Sequence, residues 1–385
     1  MSKRKVCIVV TARPSYSRIR SALLALKDIS EVEVQLVLAG SSLLDMYGNI
    51  LDYVRQDGLD ISAKVFNVVD GLSKLTSAKT TGLGLIELAT VFDNLNPDVV
   101  VTIADRFETM ATAVAAAYMH IPLVHIQGGE VTGSIDEKVR HSITKLADLH
   151  LVSTNLARER VIRMGEIPDK VHVTGCPSID IAKEVMDLPN LDFNFFEKYG
   201  GVGDCLELDK GYLVVMQHPV TNESLNGREQ MMITLNAVKE LALPVLCFWP
   251  NIDAGSDQVS KAIRVFRERG DAKSFHFFKN MQGHDFLKLL INSKALIGNS
   301  SVGVRECSFM GVPVVNVGTR QGGREYGPNV IHSPHDLTEI KGAVMSQIER
   351  GKFESSHLYG NGSAGPKIAE LIANAELSSV KKLSY

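Results

Sequence analysis

IGNSSVGVRECSFMGVPVVNVGTRQGGRE, residues 297–325, decides how the chain is read. The apolar run from Ala295 to Ile297 has the length of a buried strand, Gly298 to Ser301 are turn residues, and Val302 to Met310 keep helical spacing until Gly311. Strand, small-residue turn and helix form the repeating unit of a parallel sheet. Ser300 or Ser301 is placed to cap the helix, whose first N–H groups lack internal partners and carry the positive end of the dipole, so a phosphate fits there. Glu306 follows one turn on, where a carboxylate takes both hydroxyls of a ribose. Arg320 and Arg324 follow the next strand, Val312 to Val317, in a glycine-rich loop suited to bidentate contact with a diphosphate. The competing reading is a plain capped helix with a solvated Arg305–Glu306 pair and turn glycines, a combination common in α/β proteins.

Outward from this window the same rhythm fills the chain. Strands are expected at Val6–Val10, Glu33–Leu38, Lys64–Val68, Asp98–Ile103, Leu123–Ile126, Leu149–Val152 and Val171–Val173, with helices between them, among them Gly84–Leu95, Phe107–Met119 and Asp136–Leu146. Periodicity is lost across 187–210, which collects Pro189, Gly200, Gly201 and Gly203 and reads as a linker. The rhythm then restarts with strands at Tyr212–Met216, Val245–Phe248, Ser274–Phe278, Lys294–Ile297 and Val312–Val317. Unbroken β-branched runs alternating with helices mean parallel strands covered on both faces. The expectation is therefore an α/β chain of two Rossmann-like, doubly wound parallel-sheet domains, 1–186 and 187–363, with a cleft between the carboxyl ends of their strands as the default site.

Composition narrows the function. Of 385 residues, 41 are Lys or Arg and 44 are Asp or Glu, a formal charge of −3, so no field favours nucleic acid or an anionic membrane. Cys7, Cys176, Cys205, Cys247 and Cys307 are odd in number and scattered without a C-x-x-C pair, which fits a reducing cytosol better than a disulfide framework. The apolar run after the basic first residues is only Val6–Val10, too short for a secretion signal or a membrane span. His141, His150 and His172 lack ligand spacing and no H-E-x-x-H occurs, so neither a metal nor another cofactor is expected. A P-loop, a G-x-G-x-x-G after the first strand and a G-x-S-x-G elbow are all missing from the sequence. The Ala-rich helix at 110–117 is either core or the contact of a homodimer or homotetramer.

Polar residues gather just after the expected strands. Arg13 follows the first, Asp105 and Arg106 the run 99–103, and Gln127 and Glu130 the run 123–126, with Asp136 shortly after. His218 follows 212–216 and Asn251 and Asp253 follow 245–248. Singly, each has a plain explanation: a carboxylate after a strand is often an N-cap, and a histidine before a proline is often a hydrogen-bonded turn residue. Six or more ionisable groups at one end of consecutive strands exceed what capping requires.

These motifs resemble the hydrolysing UDP-N-acetylglucosamine 2-epimerases and their relatives acting on UDP-diacetylbacillosamine. The resemblance is carried by TARPSYS (11–17), ADRFE (104–108), HIQGGEVTGSIDEKVRHSITKLAD (125–148), GCPS (175–178), QHPVT (217–221), PNIDAGS (250–256), GNSSVGVRE (298–306) and GTRQGGRE (318–325). It implies a GT-B-like fold whose C-terminal domain holds the nucleotide, and a last helix, within 364–385, that returns to the N-terminal domain. It implies UDP contacts at Arg13, His218, Ser300, Ser301, Glu306 and Arg320, and acid/base groups at Asp105 and Asp136. The family often has glutamate where this chain has Gln127, and an amide cannot accept a proton as a base. Either the role then passes to Glu130 or Asp136, or Gln127 only orients the sugar's amide.

The chemistry expected is abstraction of the C2 proton by a carboxylate among Asp105, Glu130 and Asp136 as UDP departs, giving a 2-acetamidoglucal, then hydration with help from a second carboxylate or His218. Arg106, Gln127, Asn251 and Asp253 are expected on the sugar. The partners expected are UDP and a UDP-sugar, either UDP-GlcNAc or UDP-N,N'-diacetylbacillosamine. A non-hydrolysing epimerase, a GT-B glycosyltransferase and a non-catalytic nucleotide-sugar sensor are the competing readings.

Overall fold

β1 (Arg4–Val10) is buried from Val6 onward and pairs in parallel on both sides, which is why its sequence is an unbroken β-branched run with no polar face. The structure is a computed structural model that describes residues 3–44, 50–71, 73–132, 135–220, 223, 226–250 and 255–384. The first sheet also contains β2 (Val32–Ala39), β3 (Ile61–Val65), β4 (Val99–Ile103), β5 (Leu123–Ile126), β6 (Leu149–Val152) and β7 (Val171–Val173). Its order is β3-β2-β1-β4-β5-β6-β7, and every pairing is parallel. The second sheet contains β8 (Leu213–Met216), β9 (Val245–Phe248), β10 (Phe275–Phe278), β11 (Ala295–Gly298), β12 (Val314–Val317) and β13 (Val330–Ser333). Its order is β10-β9-β8-β11-β12-β13, again all parallel. These are the two doubly wound sheets of a GT-B-like α/β protein.

The chain divides into two units, one of Met1–Val131, Ile135–Asp180 and Tyr359–Tyr385, the other built on Ile181–Leu358. In the first, one face of the sheet buries Val6, Ile8 and Val10 against Ile19, Leu23 and Leu26 of the helix Arg13–Lys27 and against Ile368 and Ile372 of the last helix, Ala364–Asn374. The other face takes Ala111, Ala113, Ala115 and Ala116, so the Ala-rich helix Thr109–Tyr118 supplies core side chains of its own unit. In the second unit Val215, Cys247, Phe275 and Ile297 pack with Leu235, Ile263 and Phe266 from the flanking helices.

Several elements differ from the sequence expectation, among them β13, a sixth strand of the second sheet that was not expected, and a short helix, Phe195–Tyr199, inside the expected linker. The helix expected from Gly84 begins at Lys74, where a Ser73/Thr76 capping box starts it in a polar stretch without apolar periodicity. β3 lies earlier than the run 64–68. The helix expected over 302–310 is two short pieces, Ser301–Val304 and Glu306–Met310, broken at Arg305 (φ −108°, ψ −80°).

Long-range polar contacts fix the C-terminal segment to the first unit. The Asp180 carboxylate accepts the N–H groups of Ala364 (2.9 Å) and Gly365 (2.7 Å), capping a helix whose own N-cap residue, Ser363, gives no side-chain bond. Beyond that helix, Lys381 reaches Glu166 at 2.6 Å and donates to the carbonyls of Thr144, in the last turn of the helix Ile135–Leu146, and of Ala147 just after it. Glu166 also binds Lys145 (2.6 Å) and His150 (2.9 Å). Burial acts to raise its carboxyl, but these hydrogen bonds outweigh it and hold the group at about 2. Asp180→Ala is expected to cost about 2 kcal/mol of stability, the upper range for a helix cap, because two donors lose a charged acceptor at once. Urea unfolding measures it, and an unchanged midpoint would show that the cap carries no weight.

Candidate functional site

In the second unit the strand order reverses between β8 and β11, so the loops after these strands leave from neighbouring ends. Met216 and Gly298 are register partners. Gly298 has φ 133°, and a Cβ there would meet the Met216 carbonyl oxygen at 2.1 Å, so only glycine lets the two loops run this close. Asn299 then ties them: its Oδ1 accepts the His218 N–H (2.7 Å) and its Nδ2 donates to the His218 carbonyl (2.9 Å). The Asn299 carbonyl accepts from Arg320 (3.3 Å) and Gln321 (2.8 Å), and Gln321 accepts from Arg324 (2.9 Å). His218, Ser300, Arg320 and Arg324 are therefore gathered around one asparagine that the sequence reading treated as a turn residue.

Ser300 is the N-cap, accepting from the Val302 N–H at 3.5 Å. The helix behind it is one turn long, so its dipole is smaller than an unbroken 302–310 helix would give. The break brings in a different charge. Arg305 is buried, donates to Ser301 Oγ (2.9 Å) and sits 3.6 Å from Glu306 Oε2. Glu306 is 7% exposed, and its buried Oε2 accepts no hydrogen bond among the described residues. A buried carboxylate oxygen without a donor is unfavourable, and a vicinal diol supplies what it lacks. Asn251 and Asp253 lie outside the described residues.

In the first unit the reversal falls between β1 and β4. Arg13 opens the helix after β1, and its guanidinium lies 5.5 Å from the Tyr53 ring centroid. After β4 and β5 the backbone enters the left-handed region at non-glycine residues, Ala104 (φ 61°) and Gln127 (φ 65°). Such strain persists only where the surroundings enforce it. His125 is part of that enforcement: its Nε2–H donates to the Ala104 carbonyl (3.0 Å) and its Nδ1 faces Thr144 Oγ1 (3.2 Å).

Asp105, the next residue, is held between two arginines. Arg140 binds its Oδ2, and Arg18 stands 4.0 Å from its Oδ1. Arg140 is 1% exposed and also donates to the Glu130 carbonyl at 2.8 Å, so one guanidinium joins the β4 loop to the β5 loop. Asp136 lies one turn before Arg140 on the helix Ile135–Leu146. Arg106 is turned to Glu108, at 3.2 and 3.3 Å, and Gln127 donates to Cys176 Sγ at 2.8 Å. The structure thus ties Asp105 to the main chain of Glu130 through Arg140 and turns the half-buried Arg106 to the buried Glu108. Arg140, Arg18 and Asn299 were missed in the sequence. Arg140's signal was its four-residue spacing from Asp136 inside the motif 125–148, which places both on one helix face.

Burial lowers the His125 ring to about 3 from its ordinary 6.5, so it folds neutral. The unfolded chain therefore binds the extra proton first, and this contribution to stability is complete above pH 6.5 and lost as pH falls toward 3. Melting temperature is expected to drop between pH 7 and pH 5, and to drop less in His125→Asn. Equal slopes for the two proteins would remove His125 as a cause.

Among the described residues no group of three His, Cys, Asp or Glu side chains is placed to hold a metal, and no helix is long and apolar enough to cross a membrane.

Comparison with known proteins adds the family. A family profile described as UDP-N-acetylglucosamine 2-epimerase matches residues 24–373. The UDP-N,N'-diacetylbacillosamine 2-epimerase (hydrolyzing) of Legionella pneumophila is 30% identical over 377 residues, 98% of this chain and 97% of that protein. The UDP-N-acetylglucosamine 2-epimerase of Neisseria meningitidis is 29% identical over 98% of this chain and 97% of its own length. Among solved structures, UDP-GlcNAc 2-epimerase from Neisseria meningitidis bound to UDP-GlcNAc superposes with a TM-score of 0.78 at 17% identity, covering 96% of this chain and 99% of that one.

Proposed function

This chain belongs to the UDP-N-acetylglucosamine 2-epimerase family, and from that premise we propose that it is a hydrolysing 2-epimerase, releasing UDP and a C2-inverted free sugar from a UDP-activated 2-acetamido sugar. The second unit takes the nucleotide. Arg320, with Ser300 and Ser301 at the β11 turn, meets the diphosphate, and Glu306 meets the ribose hydroxyls, for which its unbonded Oε2 is the motivating observation. His218 is positioned by Asn299 beside that turn. Arg13 adds positive charge from the first unit.

Carboxylates of the first unit act on the sugar. Asp105 takes the C2 proton; the C2–H electron pair becomes the C1–C2 double bond and the C1–O pair leaves with UDP. Positive groups that stabilise the departing diphosphate are the main electrostatic aid to this step. Water then adds at C1 while a proton returns to C2 from the opposite face, delivered by Asp136 or Glu130. Gln127, an amide, contacts the sugar without exchanging protons. The observation that carries the reading is the Asp105–Arg140–Glu130 connection, which fixes a carboxylate at the strand-reversal point of the sheet.

UDP-GlcNAc, giving N-acetylmannosamine, is the first substrate assigned; UDP-N,N'-diacetylbacillosamine is the second, favoured by the name of the Legionella relative. Incubation with each sugar nucleotide tests both points. One of them is expected to yield UDP and a reducing sugar in equal amounts. Recovery of an epimerised UDP-sugar with no free UDP would replace hydrolysis by simple epimerisation.

A further inference from the structure

Gln127 is 2% exposed, and each end of its amide meets a different environment. Its backbone N–H donates to the Leu151 carbonyl (2.9 Å), fixing the left-handed turn after β5. Its Nε2–H donates to Cys176 Sγ (2.8 Å), while its carboxamide oxygen accepts nothing from any described residue. Cys176 is itself immobilised. It is fully buried, its N–H donates to the Tyr359 carbonyl (2.8 Å), and its sulfur lies 2.9 Å from Ser178 Oγ. With no donor among the described residues, that oxygen is not sealed from solvent, so the donor of a ligand can reach it.

Resting on the function proposed above, we propose that Cys176 is the positioning residue for sugar specificity: by holding the Gln127 nitrogen it leaves the carboxamide oxygen to accept the N–H of the sugar's 2-acylamino group. A donor-only N–H complements an acceptor-only oxygen, and a site built around such a bond discriminates against the analogue that lacks the donor. A freely rotating amide would present either end and lose that discrimination. The same pinning explains how a neutral residue at this position serves recognition and not proton transfer.

The test is the ratio of dissociation constants for UDP-2-deoxyglucose and UDP-GlcNAc, with UDP alone as reference, in the wild type, Cys176→Val, Cys176→Ser and Gln127→Leu. Cys176→Val and Gln127→Leu are expected to lower the preference for UDP-GlcNAc about tenfold, the factor one hydrogen bond of about 1.4 kcal/mol carries, with UDP affinity unchanged. Cys176→Ser, which keeps an acceptor, restores most of it. A merely structural cysteine would move the melting temperature and leave the ratio alone. A ratio within twofold of wild type in either Cys176→Val or Gln127→Leu overturns the proposal, and Cys176→Ala replaces the valine variant if that one does not fold. Because binding is read and not turnover, a wild type that binds UDP-GlcNAc without releasing UDP refutes hydrolysis alone, whereas full turnover with an unchanged ratio refutes this inference alone.

Discussion

Asp105→Asn is expected to lower turnover by about 10²- to 10⁴-fold while leaving the dissociation constant for UDP within about twofold. The amide has the size of the carboxylate, and its oxygen still accepts from Arg140, so the β4 and β5 loops keep their link. What it cannot do is take a proton from carbon. Arg320, Ser300 and Glu306 belong to the other unit and are untouched by the change, which is why nucleotide affinity separates from rate. Steady-state kinetics and calorimetric titration with UDP check the two halves. Wild-type turnover would remove Asp105 from the proton transfers, and weakened UDP binding would place it on the nucleotide.

Arg140→Met should lose on the order of 3 to 5 kcal/mol of stability together with most activity. The guanidinium is almost fully buried, and its removal leaves Asp105, only 14% exposed on its side chain, with Arg18 at 4.0 Å as its remaining ion-pair partner among the described residues. It also removes the donor to the Glu130 carbonyl, so both loops lose their common anchor. The double variant Arg140→Met with Asp105→Asn is expected to recover much of the stability, since the charge that was stranded is gone, but none of the activity. Chemical denaturation of the two single variants and the double closes the cycle. Additive losses would show that Arg140 is important for packing and not for holding the carboxylate.

The fold was legible because its signal is local. Unbroken runs such as Val6–Val10 and Val99–Ile103 fit only strands buried on both faces, and the turn residues after them mark the carboxyl ends. The break at Arg305 was not legible: Val302 to Met310 keeps apolar helical spacing, and the departure is confined to the backbone of one residue, Arg305. Periodicity records which face is covered, not whether the backbone leaves the helix at a single residue. The start of the helix at Lys74 was hidden for the opposite reason, since its first turns carry Thr and Ser and depend on a capping box.

At the site, single polar residues after strands were readable, but their partners were not. Asp105 stands out because it follows β4, whereas Arg140 reaches it from thirty-five residues away along the chain. Asn299 looked like a turn former, and only the register Met216–Gly298 reveals that it bridges two loops. Gln127 was noticed for being an amide, yet its contact with Cys176 depends on how the loops after β5 and β7 meet.

Running the reaction in D₂O and examining the released sugar by proton NMR tests proton removal at C2 most directly. One deuterium at C2 is expected for each UDP released, with inverted configuration at that carbon. Release of UDP together with a sugar that retains its original hydrogen at C2 would contradict it.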